Sequence, residues 1–193
     1  MSFNNFDIAA NEFEYACETG DAAFIAELLD SRTSPQIGQR KPLMAAILNN
    51  HVEVVRLLIS HGAPDECFAV TADERASSPE ASDITGSLQF AAMHGKVDVV
   101  EALLRMGIAV DCVDRAGRTA LGFAARAGEF DVVRLLVEAG ASLTKVDKEG
   151  MTALDHAAAA VEVEIIEFLR AEMRKGKAKF RVYVPILFYK RAI

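Results

Sequence analysis

"DRAGRTALGFAARAGEFDVVRLLVEAGA", residues 114–141, decides how this chain is read. Gly117 and Gly122 stand at the G-x-x-x-x-G spacing of a phosphate-holding loop. The Lys-Ser/Thr that such a loop needs after its second glycine is here Phe123-Ala124, and no strand signal precedes the turn. Repetition gives the better account. Displaced forward by 33 residues, the stretch lands on "DKEGMTALDHAAAAVEVEIIEFLRAEM", so Asp114 meets Asp147, Gly117 meets Gly150, Thr119 meets Thr152 and Leu121 meets Leu154. Displaced back by 33, it meets Leu88, Ala91-Ala92, Gly95, Val99-Val100 and Gly107. Two further copies lie upstream, "KPLMAAILNNHVEVVRLLISHGA" and the weaker "FEYACETGDAAFIAELLD".

Each unit follows one physical plan. Asp and Gly of D-x-x-G suit a tight turn, the carboxylate bonding nearby backbone and the glycine tolerating φ > 0. Thr119 and Thr152 stand where a helix N-cap belongs. A short helix follows, with small Ala on one side, then a break at Gly20, Asn50, Gly95 or Gly128. The next helix carries V-V-x-x-L-L, an apolar stripe at helical period that a neighbour must cover. Gly62, Gly107 and Gly140 fall just past its last Leu, where a left-handed residue ends a helix. Such a unit cannot bury its own face alone, so the units must stack.

The period of 33, the T-x-L-x-x-A-A core, "GEFDVVRLLVEAGA" and "NHVEVVRLLISHGA" resemble ankyrin repeats. The resemblance implies an all-α solenoid of helix-turn-helix units with short β-hairpin or turn fingers, without catalytic or cofactor residues. It places five units at about 6–33, 36–64, 81–110, 114–143 and 147–172. The spacing from Phe13 to Leu43 is 30, three short of the period, and that from Leu43 to Leu88 is 45. The excess of 12 falls in a polar inserted loop at about 66–84. Two departures carry expectations. The family's T-P-L-H tetrapeptide is nowhere complete, so the inter-repeat hydrogen bonding of its His is in doubt in every unit. The fifth unit has Val161 where a glycine should separate its helices, so these are expected to be poorly separated.

Composition narrows the function. The chain has 193 residues, 25% of them charged, with no Trp and abundant Ala, which suits one globular domain with small core side chains. No apolar run approaches the roughly 20 residues of a membrane span. The start lacks the basic n-region of a secretory signal, and Cys17, Cys67 and Cys112 form no C-x-x-C pair. Free thiols in a reducing compartment are expected, the cytoplasm with the nucleus as the alternative. His51, His61, His94 and His156 lie scattered, and neither His51 with Glu53 nor Asp155 and His156 with Glu162 makes a good metal site. Cys112 has no positioned base, so no nucleophile is assigned. His51 stands at the family's inter-helix turn histidine, a structural role.

The remaining resource is surface, and the expected partner is another protein. The resemblance implies contacts from turn tips and from the exposed ends of first helices. It carries to Arg40 beside Ile37 and Gly38, to Leu48, Asn49, Met93, His94, Arg115, Arg118 and Arg126, and to Lys148, Glu149 and Met151. Ala159 and Ala160 belong to the same groove. The three arginines of the fourth unit suit an acidic partner.

Residues 170–193 carry a net +7, leaving −14 on the first 169 of a chain whose total is −7. This tail, residues 173–193, has no counterpart in the repeats. Phe180, Val182 and Val184 alternate with Arg181 and Tyr183, and Phe188-Tyr189 follow Pro185. Three readings stay open: a cap over the last unit, a docking segment for a partner, or a basic contact to nucleic acid or anionic membrane. A structural subunit anchored through this tail is the alternative to a free-standing binding module. Ser34-Pro35 and Ser78-Pro79 have the pattern of proline-directed phosphorylation sites.

Overall fold

The computed structural model describes residues 5–30, 40–63 and 86–175. The inserted loop, Ile37, Gly38, Cys67, both Ser-Pro sites and the tail residues Phe180 to Tyr189 lie outside them, as does the side chain of Arg40. The described residues form ten helices, in pairs: α1 Asn5–Thr19 and α2 Ala22–Asp30, α3 Arg40–Leu48 and α4 Val52–Ser60, α5 Ser87–Met93 and α6 Val97–Arg105, α7 Ala120–Ala127 and α8 Phe130–Glu138, α9 Ala153–Ala160 and α10 Val163–Lys175. Odd-numbered helices stack on one another from α1 to α9, and even-numbered ones from α2 to α10, giving two layers. The stack is continuous across residues 64–85, because α5 packs on α3 and α6 on α4. The fingers hold one isolated antiparallel bridge, Val113 with Thr119, and no strand among the described residues.

Local signals account for the helix ends. Thr119 Oγ1 accepts the Gly122 N–H at 3.2 Å to start α7. Thr152 starts α9 through a reciprocal box, its Oγ1 accepting the Asp155 N–H while Asp155 Oδ2 accepts the Thr152 N–H. A cap of this kind stabilises a helix by about 1 kcal/mol. At the far end of α8, Gly140 takes φ 90, its N–H bonds the Val137 carbonyl and the Ala141 N–H bonds that of Leu136. This double closure satisfies carbonyls that the helix would leave orphaned, and buries Ala141 behind it.

The core lies between the layers. Leu88, Ala91 and Ala92 of α5, Leu121, Ala124 and Ala125 of α7, and the Val-Val and Leu of α4, α6 and α8 are all buried. Each buried Val or Leu contributes roughly 1.5–3 kcal/mol of transfer free energy. The small residues fall where helices of successive units come closest, so a thin core still packs. Phe130 of α8 meets Phe168 of α10 edge to face, ring centroids 5.4 Å apart.

Two expectations from the sequence need correction. The helices of the fifth unit are cleanly separated, because Val161 itself adopts the left-handed conformation, φ 64, that glycine takes elsewhere. Inter-repeat hydrogen bonding at the tetrapeptide survives in the third unit. Gln89 stands in place of the His, is fully buried, and its Nε2 donates to the Cys112 carbonyl at 3.1 Å, 23 residues on. An amide can donate there as an imidazole would. His51 serves a similar end lower in the stack, its Nε2 lying 2.9 Å from the Glu18 carbonyl oxygen.

Candidate functional site

The glycine that mimics a phosphate loop has a structural task. Gly117 sits at φ 80, and a Cβ there would stand 3.3 Å from the backbone of Asp147 in the next finger. The fourth and fifth fingers are thus in close contact, joined by the Lys148 N–H, which donates to the Ala116 carbonyl at 2.8 Å.

In the fourth finger, Asp114 Oδ1 accepts the N–H groups of Ala116 and Arg118, and Oδ2 accepts from Arg118 Nε at 2.7 Å. The guanidinium also lies over the Phe123 ring, 4.6 Å from its centroid. Arg118, expected on the partner surface with Arg115, is therefore engaged within its own unit, and its side chain is only 26% exposed. An aspartate four residues before it, in a turn that points one oxygen outward, is the sequence signal for this pairing.

The fifth finger repeats the turn with another partner for the second oxygen. Asp147 Oδ1 accepts from Glu149 and Met151 N–H, both at 2.9 Å, while Oδ2 accepts from His156 Nε2 at 2.8 Å. Burial pushes the Asp147 carboxyl up, but the bonds from Met151, His156 and Glu149 outweigh it and hold the group below its usual range. Both side chains are nearly closed to solvent, 3% exposed for Asp147 and 8% for His156. His156 comes from α9 and packs toward Gly122, where an added Cβ would meet its Cδ2 at 3.3 Å. The repeat register aligns His156 with Phe123 and Met151 with Arg118, which is how sequence could have found this pair.

The surface lies beside this anchor. Leu48 and Asn49 are exposed at the end of α3, and His94 is exposed after α5, edge-on to Phe90 at 4.5 Å, with Met93 half-buried before it. Lys148 and Glu149 are exposed on the fifth finger, and Arg115 is half-buried on the fourth. Arg126, Glu149, Met151, Ala159 and Ala160, over His156, line one open pocket of about 410 Å³. It unites α7, the fifth finger and α9, and Arg126 forms no ion pair or hydrogen bond with the described residues. The positions near Leu48 and near His94 do not join this pocket.

Among the described residues, no group of three or more His, Cys, Asp or Glu could hold a metal ion, and no helix is long and apolar enough to cross a membrane. Cys17 is fully buried, and that burial, with Glu14 and Glu18 nearby, pushes its thiol up to about 12, which keeps it protonated at neutral pH.

A family model of ankyrin repeats in three copies matches residues 88–179, and one of the single ankyrin repeat matches residues 39–68. Together they span more than half of the chain. The first helix pair lies outside both matches, but α1 and α2 stack on α3 and α4 as the later pairs do. No individual curated protein matches the chain.

Proposed function

The chain belongs to the ankyrin repeat family, whose members are generally protein–protein interaction modules, and from that premise we propose that it is a non-enzymatic module that holds another protein at the pocket between α7, α9 and the fifth finger. One observation carries the reading: Arg126, Glu149, Met151, Ala159 and Ala160 converge on an open pocket. The caps, the closures and the buried Asp147–His156 pair hold the walls of that pocket in place before a partner arrives, which lowers the ordering cost of binding. The apolar floor suits an aliphatic side chain of the partner and the Arg126 guanidinium an acidic one, in a paired geometry that Lys would not reproduce. A surface of this kind serves an adaptor, scaffold or inhibitor without help from the tail, which favours that reading over a structural subunit anchored by its basic end.

The test is capture of partners on the immobilised full chain, followed by affinity measurement with two charge reversals. Arg126→Glu is expected to weaken the captured partner at least about tenfold. Arg134→Glu, on the exposed side of α8 where Arg134 pairs with Asp131 at 3.2 Å, is expected to leave it unchanged. Equal affinity for both variants would move the binding site elsewhere.

A further inference from the structure

In this stack each unit is covered by the next, and one position on each first helix records the cover. Ile47, Ala92 and Ala125 occupy it in the second, third and fourth units, and all are fully buried. Ala158 occupies it in the fifth unit and is exposed. The even layer shows the same step. Val55, Val100 and Val133 are fully buried, while Ile166 at the equivalent place is only half-buried. Val163, equivalent to the half-buried Phe130 that packs on Phe168, is 60% exposed. Exposed Ala158 and Val163, with half-buried Ile166 between them and the core, thus form an apolar end face on α9 and α10 that the described residues leave open.

The chain itself supplies a cover of the right length and character. α10 ends at Lys175. The short polar link "GKAK", residues 176–179, comes next, and the repeat match ends with it at residue 179. Then comes "FRVYVPILFY", residues 180–189, in which Arg181 is the only charged residue. Ten extended residues reach about 33 Å, at roughly 3.3 Å each. The 13 residues of α10 span about 20 Å, at roughly 1.5 Å each. A segment that doubles back after the link can run the whole length of α10, with Phe180, Val182 and Val184 on one side.

We propose that residues 180–189 fold back over the end face of α9 and α10 and take the place of a sixth unit. The same contact removes two apolar surfaces from water, the face and the segment, each of which alone invites association.

The test uses the full chain and a cycle of variants, with Val163→Asp on the face and the pair Phe180→Asp and Val182→Asp on the segment. Each arm is expected to lower Tm by about 5 °C, and the combined variant to fall no further than the worse arm, because both remove one contact. Hydrogen exchange of the α10 amides should quicken equally in each. If Val163→Asp fails to fold, Val163→Thr, of nearly the same volume, gives the same cycle with smaller shifts. A face variant within about 1 °C of wild type overturns the proposal, since a residue left in water loses nothing by becoming polar. Additive losses overturn it too. So does a segment variant that keeps its Tm but loses a captured partner, which assigns the segment to that partner. A Tm loss that varies with protein concentration overturns it in favour of a second copy on the face.

Discussion

In the fourth unit Asp114 holds its turn through two backbone N–H groups and pairs with Arg118 in the same finger; in the fifth, Asp147 holds the same turn and pairs with His156 in the helix beneath. The backbone bonds are alike because the loop geometry demands them, and one carboxylate oxygen suffices. The second oxygen is left to whatever side-chain donor the sequence supplies. In the fourth finger that donor is partly exposed and also rests on Phe123, so the pair is local and replaceable. In the fifth the partner is buried, and the pair ties finger to helix beside the proposed binding pocket. One scaffold thus hosts a loosely held finger and an anchored one, set by two exchanges at equivalent positions, Arg118 for Met151 and Phe123 for His156.

Removing the carboxylates should separate the two most strongly. Asp147→Ala is expected to cost about 3 kcal/mol at pH 7, because it strands two backbone donors and leaves His156 buried without its acceptor. Asp114→Ala should cost less, about 2 kcal/mol, since Arg118 can keep its ring contact and turn to water. Equal losses in urea unfolding would erase the distinction. Acid sharpens it. Because the folded Asp147 carboxyl is lowered, its contribution is fully present above the unfolded value, near pH 4, and is lost as pH falls through the folded one. The deficit of Asp147→Ala should therefore narrow when the urea midpoints are compared at about pH 3 rather than pH 7.

An exchange of parts tests whether the two solutions are equivalent. His156→Phe gives the fifth unit the ring of the fourth and leaves Asp147 Oδ2 without a donor, at a cost of about 1.5 kcal/mol. Met151→Arg then supplies a guanidinium at the position of Arg118, and the double variant should recover roughly 1 kcal/mol of the loss. Recovery in a denaturation cycle makes the donor interchangeable; a double variant no better than His156→Phe alone confines the arginine solution to the fourth finger.

Much of this was legible in the sequence because its devices act at fixed offsets. Thr119 and Thr152 reveal caps, Gly140 reveals a helix end, and the Val-Val and Leu-Leu pairs reveal which faces need neighbours. What stayed hidden depends on side chains meeting across elements. Sequence weighed His156 only as a metal ligand, since nothing local says that α9 lies under its own finger. Arg118 and Arg126 read alike as surface cations, yet one is claimed by the aspartate four residues before it and the other is not. Gln89 escaped because the pattern asks for histidine, whereas the physics asks only for a buried donor near the Cys112 carbonyl.

The smallest effect concerns the turn between helices, where the two units again diverge. Gly128 takes φ 81, and a Cβ there would stand 3.0 Å from the Glu162 carboxylate. Val161 takes φ 64 at the equivalent place and is 74% exposed. A β-branched residue in the left-handed region costs roughly 1–2 kcal/mol, and so exposed a side chain returns little by burial. Glycine would relieve that strain but loses more backbone freedom on folding, by roughly 0.5–1 kcal/mol. The strain is the larger quantity, so Val161→Gly should stabilise the chain by about 0.5–1 kcal/mol and raise Tm by roughly 2 °C. Gly128→Val should do the reverse and more, since it adds the Glu162 contact to the same strain. A melting series of the two variants checks the sign of each. A loss on Val161→Gly would mean that the isopropyl group is held against some other part of the folded chain, with more contact than the strain it imposes.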